Sequence, residues 1–281
     1  MVFLFDTSGV NRLHDDPASE AIVAGLIGTN TVRVSALNVV EAARTPDPGR
    51  RLSLLRLLKR MTGGDRPLEM PNTLARRAMT AYSRRLPCLD SSIDAEADVL
   101  WGMLVDPSVA DDETRRALDA GQEKLESEFL GCHQRARPHF QDLFRNGVLA
   151  PRRAAAPIRH FMRSTQFLHE DVVNPIYRQQ TGADLPASEM DEMFHVAPEV
   201  AGFLLGWAHS IHQRSIALEG FGSRNAGIVD LWFATYLGRV DRFITADRRQ
   251  YRALRLVARI MAPRCGVVRF CRFRRRLLGN L

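Results

Sequence analysis

The chain has 281 residues, of which 45% are hydrophobic and 25% charged, and a formal net charge of +7. That balance excludes a disordered or fibrous chain, and the length exceeds one common domain, so one α/β domain with a helical subdomain is the expected partition. No run reaches transmembrane length and MVFLFDTSG lacks the basic region and long apolar stretch of a signal peptide, so a cytoplasmic protein without membrane contact is expected.

Val2 to Phe5 is an uninterrupted apolar run, as expected of a central strand buried on both faces, and Asp6 falls at its carboxyl end. Thr7 and Ser8 can cap the turn that follows, and Asp6 can itself belong to that capping cluster. Thr31 to Val34 reads as extended, and Ser35 is a suitable N-cap for a short helix over Ala36 to Arg44. Glu41 sits in that helix beside Ala36, Leu37, Val39, Val40 and Ala43. A lone carboxylate there is costly and calls for a cation or a metal, unless it is simply a surface glutamate.

Gly63-Gly64 and Arg66-Pro67 then mark an exit into a long stretch with helical apolar spacing. Helices are expected over Asn72 to Leu86, Asp94 to Val105, Asp111 to Phe144, Ile158 to Gln180 and Ser188 to Glu219. Gly220, Gly222 and Ser223 mark the return. The segment Gly227 to Gly238 is apolar almost all round and therefore reads as a buried helix, in which Asp230 needs compensation. Val240 to Thr245 reads as the next strand, and Asp247 follows it where a helix over Arg248 to Ala258 begins. Asp247 is equally read as that helix's N-cap.

These pieces resemble the PIN-domain ribonuclease family. FLFDTSGVNRL looks like the family's first strand and Asp-Thr/Ser turn, and VSALNVVEAAR like its Ser-to-Glu helix. IVDLWFATYLGRVDRFITADRRQY resembles the closing motif, an Asp opening an apolar helix and then a strand ending in Thr-x-Asp, with a 17-residue step from Asp230 to Asp247. The resemblance implies a three-layer α/β/α domain with a central parallel sheet, split into residues 1–62 and 222–281 around an all-helical insertion at 63–221. It also implies Asp6, Glu41, Asp230 and Asp247 as catalytic and metal-binding residues of a nuclease. Small relatives are toxins of toxin–antitoxin pairs, and that role is open to this chain.

Four close carboxylates repel one another and stay ionised together only beside cations, and hard Mg²⁺ or Mn²⁺ suits their oxygens. A metal-dependent endoribonuclease acting on single-stranded or structured RNA is the expectation. A structure-specific DNA nuclease is the rival enzyme. A catalytically silent binding or scaffold module, with the insertion blocking the cleft or recruiting a protein partner, is the rival from another class.

Charge is unevenly distributed. After Asp247 there are 11 Arg and no acid or Lys, while residues 1–247 carry 28 basic against 32 acidic residues. Arg248, Arg249 and Arg252 adjoin the fourth acid, and Arg272, Arg274, Arg275 and Arg276 follow the apolar run Gly266 to Phe270. Arginine forks suit phosphate oxygens, so these seven are the expected nucleic-acid contacts, with a solvated surface as the alternative. The four cysteines show no CxxC spacing and are expected to be reduced thiols. His209-x-x-His212 shares a helix face but lacks the HExxH pattern, so it reads as a polar helix edge.

Overall fold

The run VFLF forms strand β1 (Val2–Phe5), whose side chains alternate between two cores: Phe3 and Phe5 enter one, Leu4 the other. The computed structural model describes residues 1–88, 95–145, 168–216, 228–262 and 264–279. Strands β2 (Thr31–Arg33), β3 (Arg242–Thr245) and β4 (Gly266–Arg269) complete one four-stranded sheet in the order β2-β1-β3-β4. All pairings are parallel, with Phe3 opposite both Val32 and Arg242, and Thr245 opposite Arg269. The chain is therefore α/β, mostly helical around a small parallel sheet.

Thirteen α-helices are described: α1 (Thr7–His14), α2 (Ser19–Ile27), α3 (Ala36–Ala43), α4 (Pro48–Thr62), α5 (Pro71–Ser83), α6 (Ala95–Val105), α7 (Asp112–Arg145), α8 (Asn174–Thr181), α9 (Met190–Val196), α10 (Pro198–Ile216), α11 (Ile228–Trp232), α12 (Arg248–Met261) and α13 (Phe270–Leu278). No described helix is long and apolar enough to cross a membrane. One sheet face is covered by α1, α2 and α13, which bring Val10, Leu13, Ile22, Leu26 and Phe273 against Phe3, Phe5 and Ile244. The other is covered by α12, whose Leu254 and Val257 pack with Leu4 and Phe243. Connections thus leave β1 and β3 toward opposite faces, the arrangement at whose strand carboxyl ends open α/β sheets gather their functional groups.

The expected helices of the middle stretch are largely present, with two differences. The segment from Ser188 onward is divided: α9 ends at Val196, Ala197 leaves helical geometry (φ −118°, ψ 70°) and α10 restarts at Pro198. A residue before proline is pushed away from helical backbone, which places the break. The apolar segment carrying Asp230 runs as α only through Trp232 and tightens into a 3₁₀ helix over Phe233–Arg239. The expected elements over 158–167 and 217–219, and the return at Gly220, Gly222 and Ser223, lie outside the described residues.

The middle helices pack onto the sheet half and onto each other. Leu100, Met103 and Leu104 of α6 share the core of Phe3 and Phe5. Leu205 of α10 joins the core of Leu4 and Phe243, while α5, α8, α9 and α10 build a third core around Met79, Tyr177, Met193 and Leu204. α10 lies unusually close to the 3₁₀ segment, because a methyl group on Gly202 would fall 2.3 Å from the Ala234 carbonyl oxygen and one on Gly206 2.5 Å from that of Leu231. Two ion pairs with buried carboxylates, Arg239–Glu199 and Arg77–Glu69, flank this junction, and Tyr236 donates its hydroxyl to the Glu69 carbonyl at 2.6 Å.

Gly63 ends α4 with φ 61°, and Gly64 follows at φ 108°, both exposed with open space around them. Limited proteolysis of the native protein is expected to cut first in this turn, where backbone is least held. First cuts inside α7, mapped by mass spectrometry, would contradict that.

Candidate active site

Asp6 leaves β1 in extended geometry and caps α1, and its backbone N–H donates to the Ile244 carbonyl, which fixes it beside β3. Its carboxylate is 2% exposed and accepts from three donors: Gly9 N–H to Oδ1 at 2.7 Å, and the hydroxyls of Ser8 and Thr245 to Oδ2 at 2.6 and 2.9 Å. Gly9 is required there, since a methyl group would fall 2.9 Å from both Asp6 Oδ1 and the Ile244 carbonyl oxygen. Burial pushes the Asp6 carboxyl up to about 7; its three hydrogen bonds oppose the rise, and the charge of Asp230 adds to it.

The hydroxyls tie the turn after β1 to the end of β3. Ser8 Oγ also accepts the backbone N–H groups of Ala246 and Asp247, each at 3.0 Å. Thr245 Oγ1 lies 2.9 Å from Asp6 Oδ2 and 2.8 Å from Gln250 Oε1, so its single proton serves one of them at a time. Gln250 donates from Nε2 to the Asp230 carbonyl at 3.1 Å. Thr245 and Gln250 are both fully buried, so these bonds are made without competing water. These contacts lead from the Asp230 backbone carbonyl through Gln250 and Thr245 to Asp6, with the Thr245 proton closing one of the last two links at a time.

Glu41 comes to the site from α3. Ser35 caps that helix in a reciprocal box with Asn38, and Asn38 Nδ2 reaches Thr7 Oγ1 at 3.5 Å, pinning α3 to the turn after β1. Burial raises the Glu41 pKa; a hydrogen bond from Thr7 and the nearby Arg44 oppose this, and the charge of Asp230 reinforces it. Asp6, Glu41 and Asp230 are thus in one electrostatic neighbourhood, with Asp230 half-buried on α11.

Asp247 is differently employed. It is the N-cap of α12, its Oδ1 accepting the N–H groups of Arg249 at 2.5 Å and Gln250 at 2.8 Å. Ser8 and Thr245 still bring its backbone to the carboxyl ends of β1 and β3. Among the described residues, no group of three or more His, Cys, Asp or Glu side chains is placed to hold a metal ion. The oxygens of Asp6 instead face hydroxyl and amide donors. The chemistry of the set nevertheless suits a hard cation: all donors are carboxylate oxygens, two of them have raised pKa values, and Asp230 raises both further.

Of the expected arginines, Arg248, Arg249 and Arg252 are exposed on the first turns of α12. Arg274 is turned to Asp16, with Nε 2.5 Å from Oδ2, whereas Arg272, Arg275 and Arg276 line a groove beside β4. His209 is buried within α10, and the side chain of His212 lies outside the described residues. Sequence reading missed Thr245, Gln250 and Asn38, although the polar pair around Ala246 in Thr-x-Asp was the visible signal for Thr245. No protein-family model, curated protein or solved structure matches this chain.

Proposed function

We propose that the protein is a metal-dependent nuclease of PIN type, cutting RNA phosphodiester bonds at the crevice between β1 and β3. The observation that supports this reading is the convergence of Asp6, Glu41 and Asp230, from three distant parts of the chain, into one field in which the charge of Asp230 acts on both other acids. On this reading the sheet and its covering helices are the three-layer α/β/α domain, formed by residues 1–62 and 222–281, with 63–221 as the helical insertion.

Asp6, Glu41 and Asp230 would hold Mg²⁺ or Mn²⁺, with Asp247 in support. The bound ion would neutralise the acids, lower the pKa of a water and offset charge on the leaving oxygen. The chain's own residues set the stage. Ser8 and Thr245 keep Asp6 Oδ2 oriented, and a proton on Oδ2 would release the Thr245 hydroxyl to Gln250. Gln250 fixes the backbone at Asp230. α10, pressed against the 3₁₀ segment, holds α11 in place. Arg248, Arg249 and Arg252 stand at the mouth, where they meet phosphates.

A role as a cytoplasmic toxin of a toxin–antitoxin pair, with the helical insertion engaging a protein partner, is compatible with this reading. The second reading, a silent nucleic-acid-binding module, is favoured by one observation: the Asp6 oxygens are already taken by three donors. Purified protein incubated with labelled single-stranded RNA and DNA, in Mg²⁺, in Mn²⁺ and in chelator, separates the cases. Cleavage of RNA that stops in chelator, and in Asp6→Asn and Asp230→Asn, is the expected result. DNA cleavage alone would assign the rival enzyme, and binding without cleavage the silent module.

A further inference from the structure

β4 is an edge strand with β3 as its neighbour. Gly266 N–H donates to the Asp241 carbonyl at 2.9 Å, so by the alternation of a strand the N–H and C=O of Val267 and Arg269 point away from the sheet. On that side lies a groove of about 560 Å³ bounded by α12 and α13. Arg242, Arg269, Arg272, Arg275 and Arg276 line it together with Tyr251, and no acidic residue does.

Arginines on protein surfaces usually find carboxylates, as Arg274 finds Asp16 one position away from this cluster. None of the five groove arginines forms an ion pair among the described residues, and Arg269 Nε is buried without a hydrogen-bond partner there. Five uncompensated guanidiniums repel one another and draw in anions. Tyr251 adds a planar ring, with the Arg255 guanidinium 5.8 Å from its centre, which is the surface that a flat base stacks on.

We propose that this groove binds single-stranded nucleic acid, with phosphates on the arginines and a base on Tyr251. An acidic peptide added as a further strand is the competing occupant. The edge is only four residues long and directs the hydrogen bonds of two of them outward, whereas the arginines offer five phosphate contacts, so charge outweighs strand pairing. The groove opens at Arg269 toward the carboxyl end of the sheet, where Asp6 follows β1. Two strand spacings separate β4 from β1 in the order β1-β3-β4, roughly 10 Å. The groove lies outward of β4, so a strand held in it runs more than about three stacked nucleotides from the acids. As a holder of substrate the groove rests on the nuclease reading; as a binding site it is measured without cleavage.

The test is fluorescence anisotropy of short labelled oligouridylate and oligothymidylate, titrated with the full chain in chelator at several salt concentrations. Five contacts predict a log–log salt slope of about −3.5 for a single strand, and Arg272→Ser/Arg275→Ser/Arg276→Ser should reduce it by about 2 while weakening low-salt binding at least about tenfold. All three positions are exposed, so the fold survives. Tyr251→Ala should lose about tenfold with an unchanged slope. Asp6→Asn should keep the parent's salt slope and bind no more weakly, since it removes no groove contact, which keeps failure of the acid site separate from failure of the groove. Arg274→Ser is the control and should keep the parent slope; a loss equal to that of the other arginines would mean diffuse surface charge and overturn the proposal. So would a triple variant with the parent's slope. Displacement of the oligonucleotide by poly-glutamate at equal charge, with Tyr251→Ala silent, would assign the groove to acidic protein instead.

Discussion

Asp6→Asn should melt several degrees above the parent at pH 8 in chelator and at the same temperature at pH 4. In the folded protein the Asp6 carboxyl titrates at about 7 instead of the ordinary 3.8, chiefly because it is buried. The folded state therefore holds this proton more tightly than the unfolded chain. Stability is undiminished below the unfolded value, declines as pH rises from about 4 to about 7, and is flat above. A rise of about three units corresponds to roughly 4 kcal/mol, and each kcal/mol is about 2–4 °C in a chain of this size class. Asn keeps an oxygen for the Gly9 N–H, and the Thr245 hydroxyl, turned to Gln250, can accept from its amide, so the substitution removes the charge without removing the cap. Ser8 Oγ already accepts two N–H groups and loses a partner for its own proton, which trims the gain. On the proposed nuclease reading the same variant should also cut no RNA. Differential scanning calorimetry across the pH range checks the first part; an equal gain at pH 4 and pH 8 would place the effect in packing instead of charge.

Gly202→Val should be the most damaging single change outside the acids. Its Cβ would meet the Ala234 carbonyl oxygen at 2.3 Å, and the obstacle is backbone, which no rotamer relieves. α10 must then move off the 3₁₀ segment, at a cost of about 3 kcal/mol, the upper range for forced overpacking. The melting temperature should fall by about 6–12 °C. Because Asp230 stands on the helix just before that segment, remaining folded protein should also cut RNA more slowly. Gly102→Ala in α6 is the contrasting case: nothing lies within 4 Å of a methyl group there, and alanine suits a helix better by up to about 1 kcal/mol. Chemical denaturation of the two variants side by side distinguishes a positional effect from a general intolerance of glycine replacement.

The strands were readable because burial on both faces writes a continuous apolar word: VFLF became β1, and RFIT within the expected Val240 to Thr245 became β3. Caps were readable too, since Ser35 and Asp247 sit directly before the helices they start. Pro198 carried the information that divides α9 from α10, but apolar spacing continued across it and hid the break. The set of contacts through Thr245 and Gln250 was not legible, because a buried Gln on a helix face differs from an exposed one only by what comes to meet it from elsewhere. Glu41 and Asp230 were legible as acids in apolar surroundings; that they share a field with Asp6 depends on how α3 and α11 arrive, which tertiary packing decides.

β1 has its first neighbour, β2, 31 residues into the chain, and its second, β3, only after residue 241. During synthesis β1 must therefore wait, one edge unpaired, until β3 has been made, and Asp6 waits with it for Thr245 and Gln250. Such long-range closure is slow to form and exposes a sticky edge meanwhile. On the proposed nuclease reading it would also act as a timer. A polypeptide still being made, surrounded by the message that encodes it and by ribosomal RNA, has no assembled crevice between β1 and β3.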